Sequence, residues 1–73
     1  MSISTRNLFK SQKKILVVLR ANKGKMSVEK LFDKMEEDGL DDATLNRLAI
    51  WNLIADAKVK RDADQLVLEG SGE

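Results

Sequence analysis

The 73-residue chain contains no cysteine, no histidine, no proline and no tyrosine. Without cysteine no disulfide supports a small core, and without cysteine and histidine a zinc site of the usual kind is excluded. The same absences remove the Ser-His-Asp and Cys-His catalytic arrangements and the usual proton shuttle at neutral pH. Because so few residues also make a large substrate pocket hard to build, we expect no enzyme, no metal and no other cofactor.

Long apolar runs are missing as well. The longest, Ile15–Leu19, holds five residues, whereas a membrane-spanning helix needs about 20. No small-residue cleavage site follows its basic flanks, as one would in a signal peptide. We therefore expect no membrane partner, and the lack of cysteine fits a reducing cytoplasm. A chain of this length predicts one monomeric domain over residues 1–73, with flexible ends at 1–4 and 70–73.

The N-terminal third of the chain predicts a helix. It begins at a capping residue, near Thr5 or near Ser11, and Gly24 ends it. A period of 3.6 residues places one set of side chains on a single face, namely Leu8, Ser11, Ile15, Val18, Leu19 and Asn22. The run Ile15–Leu19 also suits a buried strand because three of its residues are β-branched, but its polar flanks favour the helix.

The second predicted helix has the clearest pattern. Ser27 caps it, and Gly39 supplies a left-handed residue that stops it. Its inward residues recur at i, i+3, i+4 and i+7 and form a one-sided apolar stripe of Val28, Leu31, Phe32 and Met35. Lys25 and Met26, just before the cap, suit a very short strand.

The third predicted helix starts at Asp41 or Asp42 as its N-cap. The four residues from Gly39 to Asp42 form a connection whose length and glycine are typical of a helix-turn-helix. The helical angle turns one set of residues inward, namely Leu45, Leu48, Ala49 and Leu53. It turns another set to the opposite side, namely Thr44, Arg47, Trp51 and Ile54.

After the helices the apolar period changes to two. Residues 57–60 and 65–69 alternate on either side of a turn region at 61–64, which predicts a β-hairpin. A hairpin is not stable alone in water. We therefore expect three of its side chains to pack on the helices, namely Val59, Leu66 and Leu68.

Helix, helix, helix and hairpin is the element order of a winged helix. On that order, the Gly39 turn, the leucines of helix three and the Lys58–Glu69 hairpin, the chain resembles the winged-helix family over residues 8–69. The resemblance implies an α+β fold with three helices followed by a C-terminal β-hairpin. It is a likeness of fold, and a fold of this type serves many functions.

Charge is divided along the chain. Residues 1–34 carry nine Lys/Arg against two acids, and residues 35–73 carry four against ten. In a DNA-binding winged helix the third helix enters the groove, yet here Asp41 and Asp42 introduce it, where phosphates would approach. Their capping role explains these acids, but their charge opposes DNA. The basic residues spread over helix one form either a solvated face or an attachment surface for an acidic protein or a nucleic-acid backbone.

The leading hypothesis is contact with a protein. Trp51 either covers the junction with the hairpin or stands exposed as an anchor, and Phe9 poses the same choice against the hairpin or helix two. We predict as anchors Leu8, Phe9, Trp51 and Ile54, with a charged rim of Lys10, Lys13, Lys14 and Arg47. A small chain without catalytic groups is similar to phage-encoded regulators that bind host RNA polymerase. That resemblance implies polymerase as the partner and an inhibitor of initiation or an antiterminator as the function.

Two alternatives stay open. A sequence-specific DNA-binding winged helix would contact DNA through Thr44, Asn46, Arg47, Lys58, Lys60 and Arg61. In it, Arg47 would bind guanine and Asn46 adenine, although the wing acids nearly cancel the wing cations and also suit a solvated edge hairpin. A structural or adaptor domain would instead self-associate through its opposite charge poles.

Overall fold

The computed structural model describes residues 5–69, so the ends expected to be flexible, 1–4 and 70–73, lie outside the described residues. The elements follow in the order α1 (Thr5–Ala21), β1 (Lys25–Ser27), α2 (Val28–Glu37), α3 (Ala43–Ala55), β2 (Val59–Asp62) and β3 (Gln65–Leu68). This α+β arrangement confirms the predicted winged-helix-like fold of three helices and a C-terminal hairpin. None of the helices within the described range combines the length and the apolar character that a bilayer span requires.

The sheet has three strands in the order β1-β3-β2, and both outer strands run antiparallel to β3. β1, which the sequence indicates only as a very short strand, pairs Met26 with Leu66. On the other side of β3, Arg61 pairs with the same Leu66. The amide of Val28 also donates to the Asp64 carbonyl at 2.9 Å. The segment between α1 and α2 is thereby tied to the hairpin, which needs such support.

One apolar core joins the helices to the sheet. Its most buried members are Ile15 and Leu19 of α1, Leu31 and Met35 of α2, Ala49 and Leu53 of α3, and Val59 and Leu66 of the sheet. The predicted packing of Val59 and Leu66 on the helices is confirmed, and Leu68 is partly buried against the same core. A domain this small buries a modest share of its surface, so each of these side chains matters to stability.

Two helix starts follow their predicted caps. The Ser27 hydroxyl accepts a hydrogen bond from the Lys30 amide at 3.2 Å. Asp42, rather than Asp41, caps α3 by accepting from the Leu45 amide at 3.1 Å. Each cap satisfies an amide that the first turn of a helix leaves without an intrahelical partner.

The helix ends share a left-handed residue, with φ of 66° at Lys23, 86° at Gly39 and 59° at Ala57. After α3, the Lys58 amide donates to the Leu53 carbonyl at 2.9 Å, which closes the last turn as in a Schellman motif. Glycine adopts this conformation without steric cost, whereas Lys23 and Ala57 meet a Cβ penalty. Gly24, directly after Lys23, is left-handed as well, with φ of 86°, and its amide donates to the Leu19 carbonyl at 2.7 Å. Left-handed glycines thus follow both α1 and α2, at the two positions predicted to end these helices.

The inward face of α3 differs from the prediction. Leu48 is 36% exposed, whereas Asn46 and Ile50 are buried. The Ser11 hydroxyl donates to Asn46 Oδ1 at 3.1 Å, and Asn46 Nδ2 donates to the Leu40 carbonyl at 2.9 Å. Apolar residues occur on every side of α3, so periodicity alone could not choose its face, and this polar link turns Asn46 inward. Ser11 is consequently a buried residue within α1 and not its cap.

Candidate functional site

A groove of about 620 Å³ runs along α1, where this helix meets the junction of α3 with β2. Three apolar side chains line it, namely Phe9, Leu16 and Leu53. Four cationic side chains line it as well, namely Arg6, Lys10, Lys13 and Lys58. No acidic side chain belongs to its described lining. We call this site the α1 groove.

One wall of the α1 groove is a single stripe of α1. Residues three and four apart share one side of a helix, and here they are Arg6, Phe9, Lys13 and Leu16. Phe9 is 69% exposed, so the alternative in which it packs under the hairpin or α2 is wrong. The other wall comes from the last turn of α3, with Leu53, and from Lys58 just beyond it. Residues about forty positions apart in the chain therefore share this site.

The α1 groove holds three of the five α1 residues predicted to bind a partner, namely Phe9, Lys10 and Lys13. Leu8 is half-buried and packs against the core. Lys14 Nζ lies 2.7 Å from Asp38 Oδ2, outside the groove. An ion pair between partly exposed groups contributes at most about 1 kcal/mol. It nevertheless shows that the basic helix touches the acidic turn after α2, so the two charge poles are neighbours in space.

Six lining residues of the α1 groove were not assigned to the partner site from the sequence, namely Thr5, Arg6, Gln12, Leu16, Leu53 and Lys58. Arg6 and Leu16 had a detectable signal, because they lie three residues before and seven after Phe9 on the same helical stripe. No spacing in the sequence indicates that Leu53 and Lys58 lie beside these residues. Their place beside α1 depends on how α3 packs, which no local spacing encodes.

The three predicted residues of α3 meet in a second hollow of about 280 Å³, lined also by Arg61 of β2. We call it the Trp51 hollow, and its predicted members are Arg47, Trp51 and Ile54. Apolar side chains form the rest of its lining, namely Val28, Phe32, Ile50 and Leu66. Trp51 is 68% exposed, so it stands at the hairpin without being buried by it. The α1 groove and the Trp51 hollow share no lining residue, and the predicted partner residues thus form two surfaces.

Acidic side chains adjoin the Trp51 hollow. Arg47 also lines a depression of about 560 Å³ to which Glu29, Asp33 and Asp64 contribute. These acids come from α2 and from the turn of the hairpin. The Arg47 guanidinium therefore lies between an aromatic surface and a negative one. Three acids therefore adjoin the Trp51 hollow, whereas one acid, Asp38, shares a depression with Lys10 and Lys13 beside the α1 groove.

The DNA hypothesis requires a correction at Asn46. A side chain that binds adenine must reach the surface with a free amide. Asn46 is 2% exposed, and its amide is used by Ser11 and by the Leu40 carbonyl. Exposing it would break both bonds and leave buried polar groups without partners. Asn46 is therefore a structural residue that fixes α3 against α1.

The other residues of the DNA hypothesis are exposed but lie in different places. Thr44 and Arg47 are on α3, and Arg47 and Arg61 line the Trp51 hollow. Arg61 Nε also donates to the Ala63 carbonyl at 3.0 Å, which holds its guanidinium near the turn. Lys58 lines the α1 groove. Lys60 follows buried Val59 in β2 and so projects from the outer face of the sheet.

Comparison with known proteins adds no relative: no family model, curated protein or solved structure matches the chain significantly. Within residues 5–69, no group of three or more acidic side chains is arranged so that it could hold a metal ion. The described arrangement offers two exposed aromatic side chains, each bordered by cations and by an apolar surface.

Proposed function

We propose that this protein is a small transcription regulator that acts by contacting another protein, with bacterial RNA polymerase as the partner. The observation that supports it most is the α1 groove, in which Phe9 stands 69% exposed among four cations. The choice of polymerase rests on the resemblance to small phage-encoded regulators. Inhibition of initiation and antitermination are both compatible with such a contact.

Exposed aromatic side chains favour a protein partner on energetic grounds. Burying a large apolar side chain stabilises a complex by about 1.5–3 kcal/mol. Tryptophan and arginine dominate the energetics of protein interfaces, and Trp51 and Arg47 lie together in the Trp51 hollow. Both surfaces therefore serve as anchors in this proposal, with Phe9 in one and Trp51 in the other.

Binding to purified bacterial RNA polymerase tests the proposal directly. We expect the wild-type protein to bind core enzyme or holoenzyme in biolayer interferometry and to change transcript yield or read-through at a terminator in vitro. Phe9→Ala and Trp51→Ala should weaken both effects while circular dichroism stays that of the wild type. Lys30→Glu alters an exposed residue of α2 that lies outside both surfaces, and as a control it should bind polymerase like the wild type. Absence of binding by the wild-type protein to every form of polymerase would refute the proposal.

Sequence-specific DNA binding is the second candidate. The winged-helix order of elements and the exposure of Thr44, Arg47 and Lys60 support it. Buried Asn46 and exposed Asp41 count against it. An electrophoretic shift of duplex DNA that weakens steeply as salt rises would favour this candidate, because phosphate contacts release counterions. No shift at low salt would remove it.

A further inference from the structure

The charge of the α1 groove has one sign, while its floor is apolar. Four cationic side chains surround Phe9, Leu16 and Leu53, and no acid belongs to the described lining. We infer that the α1 groove binds an acidic amphipathic segment of the partner protein. In this complex the apolar side chains of the segment cover exposed Phe9 and the half-buried Leu16, above Leu53, which the core already buries. The inference deepens the proposed function and rests on it in one respect, namely that the partner is a protein.

The two walls of the groove define where the carboxylates of the segment lie. Lys10 and Lys13 extend from α1, whereas Lys58 extends from the turn after α3. Cations on both sides of an apolar floor are complementary to a segment whose apolar stripe is bordered by acids on both flanks. An amphipathic helix presents such a pattern, with an apolar stripe about 100° wide. Charge complementarity of this kind also steers the encounter of the two molecules.

A nucleic-acid strand matches the cations but not the floor. Its phosphates would contact the lysines, yet a backbone offers no apolar stripe to cover Phe9 and Leu16. Sequence-independent binding of single strands depends on aromatic side chains on which successive bases stack. The α1 groove has one aromatic side chain, Phe9. The observations therefore favour a peptide as its occupant.

The length of the groove limits the length of the segment. Arg6 and Leu16 mark the extent of the lining stripe on α1, and ten residues of helix rise by about 15 Å. A partner helix lying along this stripe makes contact over about three turns, or ten residues. Lys14 adds little to the attraction because Asp38 pairs with it. Arg6, Lys10, Lys13 and Lys58 thus supply the positive charge of the site.

Fluorescence anisotropy with designed peptides tests the inference without polymerase. The probe is a labelled 12-residue helical peptide with leucines at i, i+3, i+4 and i+7 and glutamates on both flanks. One comparison peptide replaces every glutamate by glutamine, and another replaces every leucine by serine. A labelled 12-nucleotide strand of deoxythymidine tests the competing occupant. A separate NMR titration of the isotope-labelled protein with the same peptide locates the binding site through changes in amide chemical shift.

We expect the glutamate–leucine peptide to bind at least about tenfold tighter than either comparison peptide and to shift amides near Phe9 and Lys58. Lys13→Glu should weaken its binding at least about tenfold. Lys30→Glu makes the same charge change away from the groove and preserves α2, because an acid three residues after the Ser27 cap completes a capping box. It should change the affinity less than about twofold.

Equal affinity for the glutamate and glutamine peptides would overturn the inference. So would tighter binding of the oligonucleotide than of the glutamate–leucine peptide. An equal loss of peptide affinity in Lys13→Glu and Lys30→Glu would overturn it as well. The proposed function is judged separately, by binding of the wild-type protein to polymerase. If polymerase binds and Lys13→Glu does not impair it, the proposed function stands and the groove is not its site. If the peptide binds and polymerase does not, the inference stands and the partner is another protein.

Discussion

The α1 groove and the Trp51 hollow present the same kinds of side chain with different electrostatics. Each has one exposed aromatic ring beside buried apolar residues and arginine or lysine. Neither described lining contains an acid, but the adjoining depressions differ. Lys10 and Lys13 share theirs with one acid, Asp38, whereas Arg47 shares its own with three, Glu29, Asp33 and Asp64. A predominantly positive site attracts a partner from a distance, while a balanced one acts only on contact.

Under the proposed function, this difference divides the binding roles between the two regions. The α1 groove is suited to capture an acidic partner quickly, with an affinity that depends on ionic strength. The Trp51 hollow is suited to hold a partner by contact of an aromatic side chain and two arginines, with little dependence on salt. The two regions nevertheless depend on each other structurally, because α1 and α3 are joined by the Ser11–Asn46 hydrogen bond.

The largest expected effect comes from truncating Leu53, a core residue that also lines the α1 groove. Leu53 is nearly fully buried and also belongs to the core, so Leu53→Ala should lower the free energy of unfolding by about 2–5 kcal/mol. Leu48→Ala is the matched control on the same helix and should change it by about 0.5 kcal/mol or less. Urea unfolding followed by circular dichroism measures both. If Leu48→Ala lowered the free energy of unfolding as much as Leu53→Ala, Leu48 would face the core, as periodicity predicts.

The next effect concerns the link that joins the two regions. Asn46→Ala leaves the Ser11 hydroxyl and the Leu40 carbonyl without their partner and should cost about 1–3 kcal/mol of stability. Thr44→Ala, at an exposed position of the same helix, serves as the control and should change stability by about 0.5 kcal/mol or less. A thermal melt of each variant gives the comparison. If Asn46→Ala is as stable as the wild type, the link does not hold α1 against α3.

Truncating the two aromatic anchors separates binding from folding. Phe9→Ala and Trp51→Ala should each leave the free energy of unfolding within about 0.5 kcal/mol of the wild type, since both rings are exposed. Each should weaken polymerase binding by about 1–2 kcal/mol, or roughly tenfold. Unfolding of either variant would instead identify that ring as part of the core. An unchanged affinity would remove the corresponding region from the interface.

The smallest effect distinguishes the electrostatics of the two regions. Lys13→Ala should reduce the change in affinity for polymerase between about 50 and 200 mM salt, because Lys13 belongs to an unbalanced positive site. Arg47→Ala should leave that salt dependence nearly unchanged, because Arg47 shares a depression with Glu29, Asp33 and Asp64. Titrations at several salt concentrations measure the two slopes. A larger change of slope in Arg47→Ala would reverse the roles assigned to the regions.

α2 shows how much of the fold could be predicted from local pattern. Its cap at Ser27, its stop at Gly39 and the inward side chains Leu31 and Met35 agree with the structure. Its apolar residues lie on one side only, so a single orientation turns them all towards the core, where Val28 and Phe32 are partly buried. The short strand before α2 was also indicated, but its pairing with β3 depends on residues forty positions away.

α3 shows where prediction from the sequence failed. Apolar side chains on all sides gave the helix no unique face, and the buried polar pair of Ser11 and Asn46 chose one. Prediction of the candidate site was limited in the same way, because local spacing does not specify which distant residues become neighbours. Phe9 and Trp51 are both predicted as anchors, but the sequence could not show that they line different depressions. Spacing along a helix determines neighbours within two or three turns and no further.

The order and type of the elements, the cap of α2 and the choice of an aspartate as the cap of α3 follow from the amino-acid sequence alone. These properties depend on backbone preferences and on side chains within a few residues of each other. Packing of the helices and the sheet is what places Lys58 beside the basic stripe of α1 and Arg47 in a depression with three acids. The division of charge between the halves of the chain is therefore not the division between its surfaces, because packing brings distant residues together and local sequence does not specify the neighbours.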